Sequence, residues 1–218
     1  MAPFGGWVLS RIYCACPACD LRFILPEFHL APEQEYQRYL LHQNSLSNLG
    51  YVEFLGVAVD CLKACLQPCE TTLPTILDYG SGPTPVLVQL LNRTGYSVVG
   101  YDPLFGNQVV PGVVLTASLA GQEPFDAVVS TEVVEHFRNP RVEWEQMISL
   151  IRPGGFLVVV TSLVTPEIPL TDWHYAKDPA HIVFYSEATF RYIGKIWGLV
   201  RVEFNGRNCV VMRKPPAV

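Results

Sequence analysis

From Thr75 onward the chain alternates short apolar runs with helical stretches, and this alternation restricts the fold more than any other feature of its 218 residues. Thr75-Ile76-Leu77-Asp78-Tyr79 is a short apolar run ending in glycines and reads as a buried strand. Residues 83–93 follow as a helix and 96–101 as a second strand, with 113–115 and 127–130 as the third and fourth. A helix over 141–151 gathers Val142, Trp144, Met147, Ile148 and Ile151 on one face. Arg152-Pro153-Gly154-Gly155 ends it and turns into a β-branched fifth strand, 156–161. A last helix over 186–197, with Ser186 as N-cap, carries Phe190, Ile193 and Trp197 on one side. Strands near 199–204 and 208–212 close the chain around the turn Asn205-Gly206. Strands alternating with helices require a parallel sheet covered on both faces, and the closing pair adds an antiparallel hairpin at one edge. The expected class is therefore α/β, a seven-stranded and mostly parallel sheet.

The segment before Thr75 has a different texture, which divides the chain into residues 1–74 and 75–218. Residues 1–30 read as irregular, with Pro3, Pro17 and Pro26 and the cysteines Cys14, Cys16 and Cys19. A helix begins at Pro32-Glu33-Gln34-Glu35, where proline and acids suit a first turn, and a second runs over about 48–66. Pro68 and Thr71-Thr72-Leu73-Pro74 then form a linker to the sheet.

Ile76-Leu77-Asp78-Tyr79-Gly80-Ser81-Gly82-Pro83-Thr84-Pro85 is the most informative stretch for function. Glycines between strand and helix let a ligand approach the backbone where a Cβ would collide. Dinucleotides and S-adenosylmethionine both use such turns. A dinucleotide needs a third glycine where this chain has Pro85, and free N–H groups at the helix start, of which Pro83 and Pro85 each remove one. Asp78 suits a cofactor with a cationic amino group better than one with phosphates. Gly100-Tyr101-Asp102 places an acid where both ribose hydroxyls can be accepted. Taken alone, the glycines also fit an ordinary tight turn.

The ordered set Leu77-Asp78-Tyr79-Gly80-Ser81-Gly82, Gly100-Tyr101-Asp102, 125–130 (Phe-Asp-Ala-Val-Val-Ser) and 152–157 (Arg-Pro-Gly-Gly-Phe-Leu) resembles the class I S-adenosylmethionine-dependent methyltransferases over roughly residues 75–213. The resemblance implies a Rossmann-like methyltransferase sheet with an N-terminal helical extension. It also implies that Asp78, Gly80, Ser81 and Gly82 line the methionine part of the cofactor and that Asp102, followed by Pro103, holds the ribose. Ser118 and Leu119 are the candidates for adenine contacts. The chain departs from the family at Thr84, where many members have glycine, and in the short link from Asp102 to Val113. His42, with Tyr39 and Asn44 on and after the first helix, can reach the methionine carboxylate or the substrate if that helix covers the cofactor; otherwise they form a polar outer face.

After the fourth strand comes Thr131-Glu132-Val133-Val134-Glu135-His136. On a helix, Glu132, Glu135 and His136 would share a face and could bind a divalent metal (Mg or Zn) or move protons. The stretch resembles polyprenyl-benzoquinol O-methyltransferases and small-RNA 2′-O-methyltransferases, where the acids and histidine form a metal site with a later histidine. That resemblance points to His181, with His174 as the alternative, so that His136, Glu135 and His174 are catalytic candidates beside the metal set Glu132, Glu135, His136 and His181. Without an ion, Glu132 would contact the cofactor region and His136 would cap local structure. Residues 163–185, rich in Trp, His and Tyr, read as a lid over the substrate or an irregular surface loop.

Cys16-Pro17-Ala18-Cys19 has the spacing of half a zinc knuckle, and Cys61, Cys65 and Cys69 would share a helix face. Buried free thiols are the commoner outcome of such spacings. With no basic region followed by an apolar core at the N-terminus, a reduced cytoplasmic setting is expected. No stretch is long and apolar enough for membrane insertion. A net charge of −5 and only 16% charged residues, without a basic run, disfavour nucleic acid as a partner. The expected reaction is methyl transfer to a small-molecule acceptor, at a hydroxyl oxygen, with RNA methylation and cofactor binding without turnover as rivals. The sequence is silent on oligomeric state.

Overall fold

The computed structural model describes residues 11–42, 44–66, 72–167, 169–206 and 208–217. The linker residues at 67–71, with Cys69 and Pro68, and Pro3 in the first ten residues lie outside this set.

The alternation seen in the sequence builds a seven-stranded sheet. Strands β3 (Thr75–Tyr79), β4 (Ser97–Tyr101), β5 (Val114–Thr116), β6 (Phe125–Thr131) and β7 (Ile151–Val160) run parallel in the order β5-β4-β3-β6-β7. Then β10 (Cys209–Arg213) adds antiparallel to β7, and β9 (Arg201–Asn205) antiparallel to β10. Residues along the central strands alternate between two cores, as a period of two requires. Ile76, Val98, Ala127, Val129 and Val158 face α2 (Leu49–Cys65) and α3 (Val86–Asn92). Leu77, Tyr79, Val128, Leu157 and Val159 share the other core with Trp144 and Met147 of α4 (Pro140–Ser149) and Phe190 and Ile193 of α5 (Glu187–Ile196).

The helices start where their sequences allow. Asn48 caps α2 by accepting the Tyr51 N–H at 3.2 Å, and Leu55, Ala58, Val59 and Leu62 bury one stripe of it. Ser186 caps α5 through the Thr189 N–H, as its position predicts. The helix expected over 83–93 begins only at Val86. A residue before proline is pushed out of the α region, so Thr84 and Pro85 still belong to the approach.

Three further expectations are corrected. The first thirty residues are not all irregular: β1 (Tyr13–Ala15) and β2 (Arg22–Ile24) form a hairpin that extends to β8 (Val183–Phe184) in a second, antiparallel sheet. Arg152-Pro153-Gly154-Gly155 does not precede the fifth strand but lies within β7, where residues 152–155 bulge opposite Asp126 as pairing jumps from Ile151 to Phe156. Pro153 has no N–H for the ladder, while Arg152 pairs with Asp126 and Gly154 donates to the Pro215 carbonyl at 2.8 Å. Finally, no α-helix opens at Glu132. Its backbone is left-handed (φ 53°), and only a 3-10 turn, Val134–His136, follows. Two consecutive valines and the tether from the Glu132 N–H to the Val160 carbonyl oppose helix propagation there.

The helix α1 (Pro32–Leu40) buries no residue of its own and is held by contacts at its two ends and one side. Tyr36 stacks on Phe105 at 5.3 Å, Arg138 bonds Glu35, and Arg38 bonds Asp178 through two nitrogens. Such a helix exists because it is docked, not because of its propensity.

Candidate active site

The turn after β3 opens a cavity of about 760 Å³ at the carboxyl ends of the parallel strands, where open α/β sheets bind ligands. Gly80 and Ser81 donate to the Tyr101 carbonyl at 2.7 and 3.0 Å, which folds the turn back on β4. Gly80 is left-handed (φ 86°), and a Cβ there would lie 2.4 Å from Val133. Gly82 is also left-handed (φ 67°), but a Cβ would meet only open space, so its bare face is available to a ligand. Asp102 organises the floor: its Oδ2 accepts from Gly82, and its Oδ1 from Leu104 and Phe105 at 2.9 and 3.1 Å.

Asp78 lies next to the end of β3 beneath this turn, 2% exposed, and its Oδ1 has no hydrogen-bond partner; the Ser81 hydroxyl is unpartnered too. Burial first, and then the charge of Asp102, pushes the Asp78 carboxyl up to about 7. An unpaired acid under a glycine turn is what a cationic amino group would satisfy, so these residues fit S-adenosylmethionine. Asp78, Gly80, Ser81, Gly82, Asp102, Pro103, Glu132 and His42 all line the cavity. Ser118 and Leu119 do not; Ser118 instead closes a small turn with Thr116, and Leu104 and Phe105 take the adjoining wall.

A second group of donors lies at the same end of the sheet. Glu135 is fully buried; its Oε2 accepts from the Thr161 hydroxyl at 3.0 Å, and its Oε1 has no partner. The His136 Nδ1 faces the Ala180 carbonyl at 2.9 Å, and the His181 Nδ1 faces the Tyr175 carbonyl at 2.8 Å. A carbonyl only accepts, so each Nδ1 carries the proton and each Nε2 presents a lone pair. Burial lowers the His181 pKa and keeps that ring neutral. One ligand atom each from Glu135, His136 and His181 lies within 4.8 Å of the others, with His136 Nε2 4.0 Å from Glu135 Oε1. Glu132 is not one of these three; its Oε1 is also unpartnered, and burial and Glu135 raise its pKa against a bond from Tyr175. Three lone-pair donors facing one another, with both imidazoles anchored through Nδ1, fit a divalent cation.

The loop after β7 supplies His181 to this group, while Glu135 and His136 follow β6. Tyr175–Lys177 forms a 3-10 turn, His174 precedes it on the cavity wall, and Tyr175, Asp178 and His181 also line the cavity. The N-terminal hairpin clamps the loop: Arg11 donates to the carbonyls of Ala176, Asp178 and Pro179 at 2.7–3.0 Å, and the Tyr13 hydroxyl donates to Ala176. Tyr39 of α1 meets the His136 ring edge-on at 5.3 Å, and His42 and Asn44 border the opening. Sequence reasoning missed Tyr51, Phe105, Arg138, Tyr175 and Asp178 as wall residues. Phe105 follows Asp102-Pro103 closely, but Tyr51 and Arg138 carry no local signal.

Cys16 and Cys19 occupy the hairpin turn between β1 and β2, where the Ala18 and Cys19 N–H groups lower the Cys16 thiol pKa. Among the described residues no third metal donor joins them. No described helix is long and apolar enough to cross a membrane.

Comparison with known proteins agrees with the architecture. The chain is 34% identical over 104 residues to the mitochondrial ubiquinone biosynthesis O-methyltransferase of Rattus norvegicus, covering 39% of this chain and 30% of that one. It is 32% identical over 100 residues to the ubiquinone biosynthesis O-methyltransferase of Dinoroseobacter shibae, 39% of this chain and 40% of the relative. An uncharacterised methyltransferase of Mycobacterium tuberculosis is 30% identical over 131 residues, 55% and 64% of the two chains. The matched segments thus span less than two thirds of these relatives' lengths. In fold, the chain is similar to magnesium protoporphyrin IX methyltransferase from Synechocystis PCC 6803, solved with bound SAH (TM-score 0.57, 17% identity, 86% of this chain and 96% of that one). A putative methyltransferase from Bacillus halodurans superposes with a TM-score of 0.55 at 14% identity, over 74% and 98% of the chains. The family model described as a methyltransferase domain matches residues 36–202, most of the chain, which therefore belongs to that family and has the class I methyltransferase fold.

Proposed function

We infer that this methyltransferase acts on a hydroxyl oxygen of a small molecule and that a divalent cation, Mg or Zn, assists it at Glu135, His136 and His181. The observation that carries the reading is the set of unpaired lone pairs on these residues beside the cofactor cavity. The names of the curated relatives, O-methyltransferases, support oxygen as the acceptor atom. The absence of a basic run and the net charge of −5 favour a small acceptor over RNA.

S-adenosylmethionine supplies an electrophilic methyl group, and a bound cation lowers the pKa of an acceptor hydroxyl. The chain's own residues do the rest. Asp78 accepts the cofactor's amino group, and the bare backbone at Gly82 allows its close approach. Asp102, already holding the glycine turn and residues 104–105, accepts the ribose. In the N-terminal part α1 borders the cavity and the hairpin braces the loop that carries His181, while the part from Thr75 onward carries the sheet. The acceptor's hydroxyl proton leaves to water as the oxygen takes the methyl, while Glu132, an acid whose pKa is raised by burial and by Glu135, lines the cavity. His174 and Tyr175 line the cavity with His136 and His181. Positioning for in-line transfer then supplies most of the rate.

The test uses metal-stripped protein, titrated with Zn or Mn by calorimetry and assayed on a panel of phenols, catechols and short RNAs. Wild type is expected to bind one ion, and Glu135→Gln and His181→Ala are each expected to lose the ion and at least tenfold in turnover on an oxygen acceptor. Activity indifferent to chelator and to both substitutions removes the cation from the reading.

A further inference from the structure

Away from the cavity, α2 meets β10 at two buried thiols. Cys61 lies near the end of α2 and Cys209 opens β10, 148 residues apart in sequence. Their sulfurs are 3.0 Å apart, about one ångström beyond a disulfide bond. Cys61 is 4% exposed and Cys209 not at all. Asn205 of β9, which pairs with Cys209 across the hairpin, directs its side-chain amide at the Cys61 sulfur at 3.5 Å. Donation from Cys209, aided by this amide and opposed by burial, lowers the Cys61 pKa and raises that of Cys209. One thiol of the pair is thus set as the attacking thiolate and the other as the proton-bearing partner. Cys65, one turn further along α2, is raised by burial and is not the sulfur that meets Cys209.

We propose that Cys61 and Cys209 form a reversible disulfide that rivets α2 to β10 when the protein meets a hydroperoxide. The Cys61 thiolate attacks one peroxide oxygen, the O–O bond breaks, and the leaving hydroxide takes a proton to become water. The Cys209 sulfur then attacks the resulting sulfenic acid, the S–O bond breaks, and the hydroxyl leaves as water with the Cys209 proton. Two thiols give up two electrons, one hydrogen peroxide becomes two waters, and a thiol reductant reverses the step. The cross-link matters to the site because both ends lead there. Tyr51 in the first turn of α2 lines the cofactor cavity, and Cys209 pairs with Val160, next to the Thr161 that holds Glu135.

The experiment compares the reduced full chain with the same chain treated with hydrogen peroxide, by non-reducing peptide mapping and by thermal unfolding. A peptide pair joining Cys61 to Cys209 is expected, along with a rise of roughly 5–15 °C in the unfolding midpoint, given the long loop closed. Both are expected to vanish with reductant and in Cys61→Ser and Cys209→Ser. Should the serine variants fail to fold, the mapping of oxidised wild type decides alone. Oxidised wild type in which Cys61 ends as sulfinic acid, or in which only Cys16–Cys19 or intermolecular links form, overturns the proposal. So does a midpoint rise that persists in folded Cys61→Ser.

Discussion

Replacing Asp78 by asparagine is expected to make the free protein more stable and its cofactor binding weaker. Asp78 is 2% exposed, one of its oxygens has no partner, and burial with the Asp102 charge raises its pKa from 3.8 to about 7. A carboxyl raised in the fold binds its proton more tightly there than in the unfolded chain. Its contribution is therefore fully favourable below the unfolded value and is lost as pH rises through about 7. The interval corresponds to about 4 kcal/mol, softened by local relaxation to about 2–4 kcal/mol. Denaturant unfolding without cofactor should show wild type losing about that much between pH 4 and pH 8 through this group, and Asp78→Asn keeping it. At pH 8 the variant should thus unfold later than wild type. Calorimetry should show the opposite for the cofactor. Wild-type affinity should climb about tenfold per pH unit up to about 7, as Asp78 must ionise to accept an ammonium, and then level off. The variant should bind about 30- to 150-fold more weakly at pH 8, having lost a charged hydrogen bond. A variant no more stable at pH 8 and equal to wild type in affinity would refute the reasoning, because Asp78 would then be a structural acid with a hidden partner.

Two other perturbations test how the N-terminal residues hold the site. Arg11→Met removes bonds to three carbonyls of the loop carrying His181 and should weaken zinc binding, measured against a chromogenic chelator, about 5- to 50-fold, with Arg11→Lys recovering part; unchanged affinity would show the hairpin irrelevant to the donors. Burial pushes the Asp178 carboxyl up, but Arg38 and the Ala180 N–H outweigh it and hold it down to about 2, so this pair's stabilisation is present above 3.8 and lost as pH falls toward 2. With the Arg38 side chain 36% exposed, the contribution is about 1 kcal/mol, and acid titration of unfolding should show Arg38→Met lacking that loss between pH 4 and pH 2.

Why the sheet was legible and part of the site was not follows from where each kind of information resides. Strand period, caps and turn residues are local, so β3, β4, β6, the cap of α5 and the closing hairpin follow from adjacent residues. The glycine turn, Asp102 and the pair Glu135-His136 are likewise short in sequence. The places that resisted reading are those where a distant partner overrides local preference. Pro153-Gly154-Gly155 looks like a stop, yet Arg152–Asp126 and the 154–215 backbone bond draw it into β7. Glu132 and Glu135 have helical spacing, yet the Glu132 N–H is tethered to the Val160 carbonyl and its backbone is left-handed.

That last departure has a chemical consequence. On a regular helix, Glu132 would sit one turn from Glu135 and His136 and would be the natural third ligand. Its backbone is left-handed instead, and the donors that converge are Glu135, His136 and His181, the last delivered by a loop 45 residues onward. Glu132 lies outside that trio, an acid whose pKa is raised by burial and by Glu135. A strained residue at the end of a central strand is costly and persists where the surroundings over-determine it. Here the surroundings are a β7 carbonyl, a buried neighbouring acid and the cavity wall. The left-handed turn thus places two acids that the sequence presents as equivalent in different surroundings, Glu135 among convergent donors and Glu132 outside them with a raised pKa.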